Sequence, residues 1–223
     1  MDRRNLISLV YFYRKFVFQE FKLIIDPKNF NGFGRVFTGV IVPRPIAFVS
    51  TISNEGHVNL SPYSFFNAAT YDPPTLVFSI SKFLSSGKLK HTLKNIQENS
   101  EFVVNIVSNQ IAEAMNVTSA EYPEDTNEFA ISGLTQLDSQ IVRPPRLAES
   151  PVNMECKLER IVELGSERDP HGLVIGEVVL VHIDDEVISG HHIDHQKLDP
   201  VGRLAGDMYC HTTSTFDLIR PVV

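Results

Sequence analysis

Residues 173–183 ("LVIGEVVLVHI") constrain the fold most, because they are apolar on both sides of a strand. Side chains of a strand alternate between two faces. Here Val174 and Val178 share one face, while Ile175 and Val181 share the other. A strand that is wet on one side alternates apolar and polar residues instead. The segment therefore predicts a barrel strand whose outer face is covered, and a second subunit is one candidate for that cover.

Strand signals recur through most of the chain after residue 25. Apolar or alternating runs predict strands at 46–52, 57–71, 75–81, 101–107 and 152–163. Gly56 in the turn "SNEG" supplies the positive φ that a hairpin needs. Helices are expected in "HTLKNIQENS", with Thr92 as N-cap, and at 111–116. Residues 118–150, rich in Pro, Ser, Asp and Glu, predict a long surface excursion.

The first 25 residues differ in character from the rest. Their apolar side chains fall at helical spacing, and the longest unbroken apolar run, residues 9–13, is too short to span a bilayer. A docked or partner-binding amphipathic helix and a disordered extension both remain open. We therefore divide the chain into an N-terminal extension of uncertain structure, residues 1–25, and a single domain, residues 26–223, without a membrane span.

Charge is distributed unevenly along this acidic chain. The formal net charge of -7 argues against a general nucleic-acid binder. Residues 27–97 carry seven Lys/Arg against two acidic residues, whereas residues 98–223 carry eight against 22. The imbalance indicates a local anion site, or chance clustering. Two cysteines, Cys156 and Cys210, make no disulfide framework, which favours a reducing, cytoplasmic setting.

An arginine stands between two prolines in "VPRPIAFVST". Pro43 and Pro45 fix φ and bias the preceding residues to extended backbone, so Arg44 has little freedom. So stiff a segment is an expensive way to display a solvated charge. The strand that follows ends in Ser50 and Thr51, whose hydroxyl groups are candidate donors.

The basic third of the chain contains "SGKLKHT" just before the predicted helix. Free N–H groups and the positive end of the dipole collect at a helix start, where phosphate binds readily. Lys88 and Lys90 add positive charge there. The alternative is a solvated surface with an ordinary N-cap. No Walker A loop is present, and "GFGRVF" is only a fragment of a dinucleotide fingerprint.

A polar and aromatic run, "NLSPYSFFNAATYDPP", follows the hairpin turn. The small polar residues Ser64 and Asn67 would let a flat heteroaromatic ring approach the backbone, and Phe65 and Phe66 would wall it. A core strand with its polar residues toward solvent explains the same spacing.

These segments together resemble the flavin reductase-like family of FMN-binding split barrels. The resemblance rests on the order of "VPRPIAFVST", "NLSPYSFFNA", "DPPTLVFSI", "K-x-T-L-x-N-I" and "EFVVNIV". It covers about residues 26–221, and the block 42–107 is its specific part. It implies a mainly β, six-stranded antiparallel split β-barrel of Greek-key type with a few flanking helices. It also implies a homodimer with FMN near the interface.

The resemblance also implies roles for individual positions. Lys90 and Thr92 match the family's Lys-x-Thr phosphate contact, with His91 in place of the usual Asp. Ser50 and Thr51 would lie near the ribityl-phosphate, and Arg44 near the pocket or in its wall. The ring contacts would come from Ser64, Phe65, Phe66 and Asn67.

Three further positions are candidates on the open side of the ring. His171 begins "HGLVIGEV", which fits the family's H-x-x-x-x-G-x-V segment and implies a nicotinamide-side role, although Asp169-Pro170 replaces the usual Gly-Asp. Asp207 and Tyr209 belong to the closing segment and would line the substrate side. The His-rich stretch "SGHHIDHQ" invites a metal interpretation, but we expect no metal.

The expected activity is that of an NAD(P)H-dependent flavin reductase that passes reduced flavin or electrons to a monooxygenase or other redox partner. FMN is the expected cofactor, with NADH or NADPH as electron donor. The alternative is a flavoredoxin-like electron carrier or FMN-binding module without NAD(P)H activity of its own.

Overall fold

The computed structural model describes residues 23–222. Most of the predicted extension, residues 1–22, lies outside the described part. The described residues divide into two units, one that ends at Phe37 and one that begins at Thr38. Within residues 23–222, no helix combines the length and apolar character needed to cross a membrane.

The predicted strands and helices occur in the predicted order, and shorter elements that were not predicted lie before, between and after them. The strands are β1 (Ala47–Ile52), β2 (Val58–Tyr63), β3 (Phe66–Tyr71), β4 (Pro74–Ser81), β5 (Glu101–Ile106), β6 (Gln136–Leu137), β7 (Arg146–Leu147), β8 (Val152–Ser166), β9 (Asp169–Ile183), β10 (Ile188–Ser189), β11 (His192–Ile193), β12 (Val201–Arg203) and β13 (Tyr209–His211). The helices are α1 (Phe33–Val40), α2 (His91–Asn99), α3 (Ala112–Val117), α4 (Glu128–Ser132) and α5 (His195–Leu198), with a 3-10 turn at Asn109–Ile111.

Seven of these strands form one antiparallel sheet in the order β2-β1-β5-β8-β9-β4-β3. Its edge strands, β2 and β3, are separated in the chain only by Ser64 and Phe65, so the sheet curls on itself without pairing its two edges. This is a split barrel. The sheet has seven strands instead of the predicted six because residues 57–71 break into β2, which pairs with β1, and β3, which pairs with β4.

The apolar side chains of β1 pack into two separate hydrophobic cores. Ala47 and Val49 belong to the first core, while Phe48 belongs to the second. Helix α2 adds Leu93 and Ile96 to the first core, inside the barrel. Burial on both faces explains why residues 46–49 form an unbroken apolar run.

Strand β9 is buried on only one face of the single chain. Val174 is fully buried, and Gly176 leaves the space that the Phe102 ring fills. On the opposite face Val181 is 45% exposed. The expectation that a second copy covers this outer face stays a prediction.

Candidate functional site

A pocket of about 60 Å³ lies where α2 begins beside β2. We call it the α2 pocket. It is lined by Asn59, Ser61, Pro62, Tyr63, Leu84, Lys90, His91, Thr92, Thr118, Ser119, Ala120, Glu121, Tyr122 and Glu128. The predicted phosphate residues Lys90 and Thr92 are thus together in one cavity.

Helix α2 begins without a side-chain cap. Its N-cap is Lys90, which makes no capping hydrogen bond, so the sequence prediction that Thr92 is the N-cap was wrong. Thr92 lies one residue inside the helix, and its hydroxyl accepts a hydrogen bond from Tyr63 at 2.8 Å. The first-turn N–H groups therefore have no side-chain acceptor, which is the arrangement that suits an anion.

Charged groups of both signs face the α2 pocket. Burial lowers the pKa of His91 below its ordinary value, so the ring is neutral at pH 7. Hydrogen bonds from Ser85 lower the pKa of Glu121. Burial raises the pKa of Glu128 to about 7. Lys90 makes no ion pair with any of residues 23–222, and its charge also helps to lower the pKa of Glu121 in the same pocket.

A second and wider pocket, of about 450 Å³, adjoins the α2 pocket and shares Pro62 and Ser119 with it. We call it the Tyr209 pocket. It is lined by Ile46, Pro62, Ser64, Met115, Asn116, Ser119, Arg203, Asp207 and Tyr209. The Arg203 guanidinium lies 4.4 Å from the centre of the Tyr209 ring. Three predicted residues, Ser64, Asp207 and Tyr209, are thus brought together beside a cation and an aromatic face.

Arg44 serves as a brace and lines neither pocket. It is buried, and its guanidinium donates to the carbonyl groups of Ile41 and Leu204, each at 2.9 Å, and to that of Thr38. A longer contact of 3.4 Å reaches the Ser64 hydroxyl. Of the two interpretations of the Pro-Arg-Pro segment, these contacts favour support of the wall over direct contact with an anion.

Ser50 and Thr51 lie inside the barrel wall, apart from both pockets. Both are fully buried. Ser50 donates to the carbonyl of Pro145 at 2.5 Å, and Asn95 donates to the Thr51 hydroxyl at 3.0 Å. Neither residue lines either pocket, and their predicted position near the ribityl-phosphate stays a prediction.

The predicted ring contacts other than Ser64 lie along the sheet edge, outside the linings of the two pockets. Phe65 is 42% exposed and lies beneath the Arg44 guanidinium, whose carbon is 5.8 Å from the ring centre. Phe66 packs against the first core, and Asn67 is exposed. Contact between these residues and a flavin ring remains a prediction.

His171 also lies outside the linings of both pockets. It pairs with Ser81 across the sheet, and its ring contacts the Ser79 hydroxyl at 3.3 Å and the Asp169 carboxylate at 3.2 Å. In the His-rich stretch, Asp194 caps α5 by accepting from the Gln196 amide. Within residues 23–222, no three His, Cys, Asp or Glu side chains group as metal ligands would.

Several residues that face the pockets were not predicted from the sequence. Asn59, Tyr63 and Glu128 face the α2 pocket, while Asn116 and Arg203 face the other. Arg203 has a signal, since it stands in the closing segment with Asp207. Glu128 has none, because it belongs to a stretch whose composition indicates only surface.

Comparison with known proteins agrees with the fold. The flavin reductase like domain matches residues 39–197. An uncharacterized Aquifex aeolicus protein is 40% identical over 176 residues, covering 78% of this chain and 87% of its own. Nitrilotriacetate monooxygenase component B from Bacillus cereus has a TM-score of 0.84 at 34% identity, covering 89% of this chain and 100% of its own. The 2-nitrobenzoate 2-nitroreductase NbaA of Pseudomonas fluorescens has a TM-score of 0.79 at 32% identity, with 89% and 96% covered. The split barrel, its two adjoining pockets and these matches together establish that the chain belongs to the flavin reductase-like family.

Proposed function

We propose that this protein is an FMN-binding oxidoreductase, an NAD(P)H-dependent flavin reductase that passes reduced flavin or electrons to a partner. One observation carries the proposal: an uncapped helix start with Lys90 and Thr92 opens beside a wider pocket that holds Arg203 and Tyr209. On this proposal a phosphate would occupy the first pocket and a flat ring system the second.

The chain's own residues would bind and orient the cofactor. Lys90 and the first-turn N–H groups of α2 would hold the phosphate through charge-assisted hydrogen bonds. Tyr209 and Arg203 would line the ring side, and Ser64 would offer a hydroxyl at its edge. FMN, when bound, supplies the ability to accept a hydride, and the protein supplies binding, orientation and electrostatics.

A homodimer with FMN near its interface is part of the proposal. Strand β3 lies at the sheet edge with five of its six residues exposed, and Tyr71 is 93% exposed. An exposed edge strand is a template for pairing with another chain. Phe65, Phe66 and Asn67 lie on or beside this edge, where a second copy would complete the contacts to the flavin ring.

Anaerobic stopped-flow absorbance tests the activity. Protein reconstituted with FMN is mixed with NADH or NADPH, and bleaching of the oxidised flavin band is followed. Fast bleaching that saturates with one dinucleotide is the expected result. Protein that does not retain FMN would contradict the proposal as a whole.

A flavoredoxin-like carrier is the second candidate, and the position of His171 favours it. This predicted nicotinamide-side residue is held by Ser79 and Asp169 and lines neither pocket. A carrier would retain FMN, stay oxidised with both dinucleotides and accept electrons from another protein. The stopped-flow experiment therefore separates the two candidates.

The similarity to a monooxygenase component B supports a redox partner protein for this chain. The free thiols of Cys156 and Cys210 suit a reducing, cytoplasmic setting. Measuring hydroxylation by a partner oxygenase with and without this protein would test the partner.

A further inference from the structure

A buried carboxylate lies at the wall of the α2 pocket, where an anion is expected. Glu128, the first residue of α4, is 3% exposed. Its Oε2 accepts a hydrogen bond from the Leu60 amide at 3.3 Å. An ionised carboxylate in this position would repel a phosphate in the same pocket, so its protonation state matters for ligand binding.

Asn59 links Glu128 to Thr92. One terminal atom of the Asn59 amide lies 3.2 Å from Glu128 Oε1, and the other lies 2.8 Å from Thr92 Oγ1 and 3.2 Å from the Leu60 nitrogen. An amide presents an oxygen acceptor at one end and a nitrogen donor at the other. Its orientation is therefore set by whichever hydrogen-bonding role Glu128 takes.

When Glu128 is protonated, its hydroxyl donates to the Asn59 oxygen. The Asn59 nitrogen then donates to Thr92 Oγ1, which also accepts from the Tyr63 hydroxyl at 2.8 Å. With two donors directed at its oxygen, Thr92 keeps its own proton for a third partner, an anion in the pocket.

When Glu128 is ionised, the Asn59 amide turns over. Its nitrogen donates to Glu128 Oε1, and its oxygen accepts from Thr92 and from the Leu60 amide. Thr92 then donates to Asn59 and presents only a lone pair to the pocket. The negative charge of Glu128 and the orientation of the Thr92 hydroxyl therefore both oppose anion binding.

We propose that Glu128, Asn59 and Thr92 form a proton-linked relay. When a phosphate monoester binds beside Lys90, Glu128 takes up and holds a proton. This inference rests on the proposed function, because it takes the FMN phosphate as the ligand of the α2 pocket. It assigns Glu128 as a positioning residue that acts through Thr92.

The other titratable groups around this pocket do not replace Glu128 in this role. Burial raises the pKa of Tyr63 on β2 to about 12, so it remains a donor. At the start of α2, Lys90 is a cation, and burial lowers the pKa of His91 and so favours its neutral form. In the loop before α4, hydrogen bonds from Ser85 keep Glu121 ionised, and the Tyr122 hydroxyl donates to the Val117 carbonyl. The raised pKa of Glu128, about 7, lies in the range where the relay would switch.

Calorimetric titration of the apo protein with FMN tests the relay. Repeating the titration in buffers of different ionisation enthalpy counts the protons taken up on binding. For the unmodified protein, FMN affinity should be about tenfold weaker at about pH 8.5 than at pH 6.5. Between these two pH values, FMN binding should be accompanied by net proton uptake. The FMN phosphate has a second pKa near 6 and releases protons on binding. Its contribution to the proton count is therefore opposite in sign to that of Glu128.

Glu128→Gln is the decisive variant, because its amide donates to Asn59 as the protonated acid does. It should bind FMN at pH 8.5 as tightly as the unmodified protein does at pH 6.5, without proton uptake. Glu121→Gln, a carboxylate of the same pocket outside the relay, should keep the original pH dependence. Riboflavin, which lacks the phosphate, should bind without proton uptake in every variant.

The outcomes separate this inference from the proposed function. Tight FMN binding with the same proton uptake in Glu128→Gln as in the unmodified protein would overturn the relay and leave FMN binding intact. No FMN binding at any pH would overturn both. Should Glu128→Gln not fold, proton counting on the unmodified protein decides, and no uptake above pH 7 would overturn the relay.

Discussion

The side chain of Lys90 carries the positive charge of the α2 pocket. Lys90→Ala should weaken FMN affinity by about 1–2 kcal/mol, because it removes one charge-assisted hydrogen bond to the phosphate. Quenching of FMN fluorescence on titration measures the change.

Lys88 provides a matched control for Lys90. It belongs to the same segment and carries the same charge, but it is exposed and does not line the pocket. Lys88→Ala should leave FMN affinity nearly unchanged. Equal losses for the two variants would indicate general attraction in place of a defined phosphate contact.

Glu128 also makes stability depend on pH. Its pKa of about 7 in the folded state exceeds the 4.5 of a free side chain, so the folded state holds the proton more tightly. The resulting stability is complete below the unfolded value and is lost as pH rises from about 4.5 through 7. Glu128→Gln should therefore gain about 2 kcal/mol over the unmodified protein between pH 5 and pH 8.

Chemical denaturation at both pH values measures this difference in unfolding free energy. Glu159→Gln, an exposed carboxylate on β8, should show no such pH-dependent gain. A constant difference between Glu128→Gln and the unmodified protein at all pH values would contradict the assignment.

At the scale of elements, the loop before β7 is held by one buried carboxylate on β8. Glu155 is fully buried and accepts from the amides of Gln140 at 2.8 Å, Ile141 at 2.6 Å and Val142 at 3.1 Å. Its Oε1 also lies 2.7 Å from the Nε2 of His182 on β9. Burial alone would raise the pKa of Glu155, but these donors outweigh it and lower the pKa below its ordinary value.

Glu155→Ala should destabilise the protein by about 3 kcal/mol, because it leaves three amides and His182 without their acceptor. A group with a lowered pKa contributes stability above its unfolded value and loses it as pH falls through the folded value. The cost of the substitution should therefore shrink below about pH 4. Urea denaturation checks both effects, and Glu159→Ala on the same strand is the control.

At the scale of the whole molecule, the exposed β3 edge should pair with a second copy. Tyr71→Asp places a charge on this edge and should shift the protein from dimer toward monomer and weaken FMN binding. Sedimentation velocity measures the state. Leu137→Asp, at an apolar position on β6 that is 41% exposed, is the control and should leave a dimer. A monomeric unmodified protein would contradict the dimer.

The sequence alone determined the mainly β architecture, most strand positions, and the meeting of Lys90 with Thr92 in one pocket. Those features depend on local periodicity and on residues two positions apart, which a linear pattern records. The break at Ser64 and Phe65 is the exception, because a run of mixed side chains does not say which neighbour each half pairs with.

Only the tertiary structure decided what long-range contacts do to each side chain. Arg44 became a brace because Leu204, 160 positions away, accepts its hydrogen bond. Ser50 donates its hydrogen bond to the Pro145 carbonyl and lies outside the pockets. Glu128 lies at the α2 pocket, where it accepts a hydrogen bond from Leu60, a residue 68 positions earlier in the chain. Burial and hydrogen-bond partners of this kind arise when distant segments pack, and no spacing within either segment encodes them.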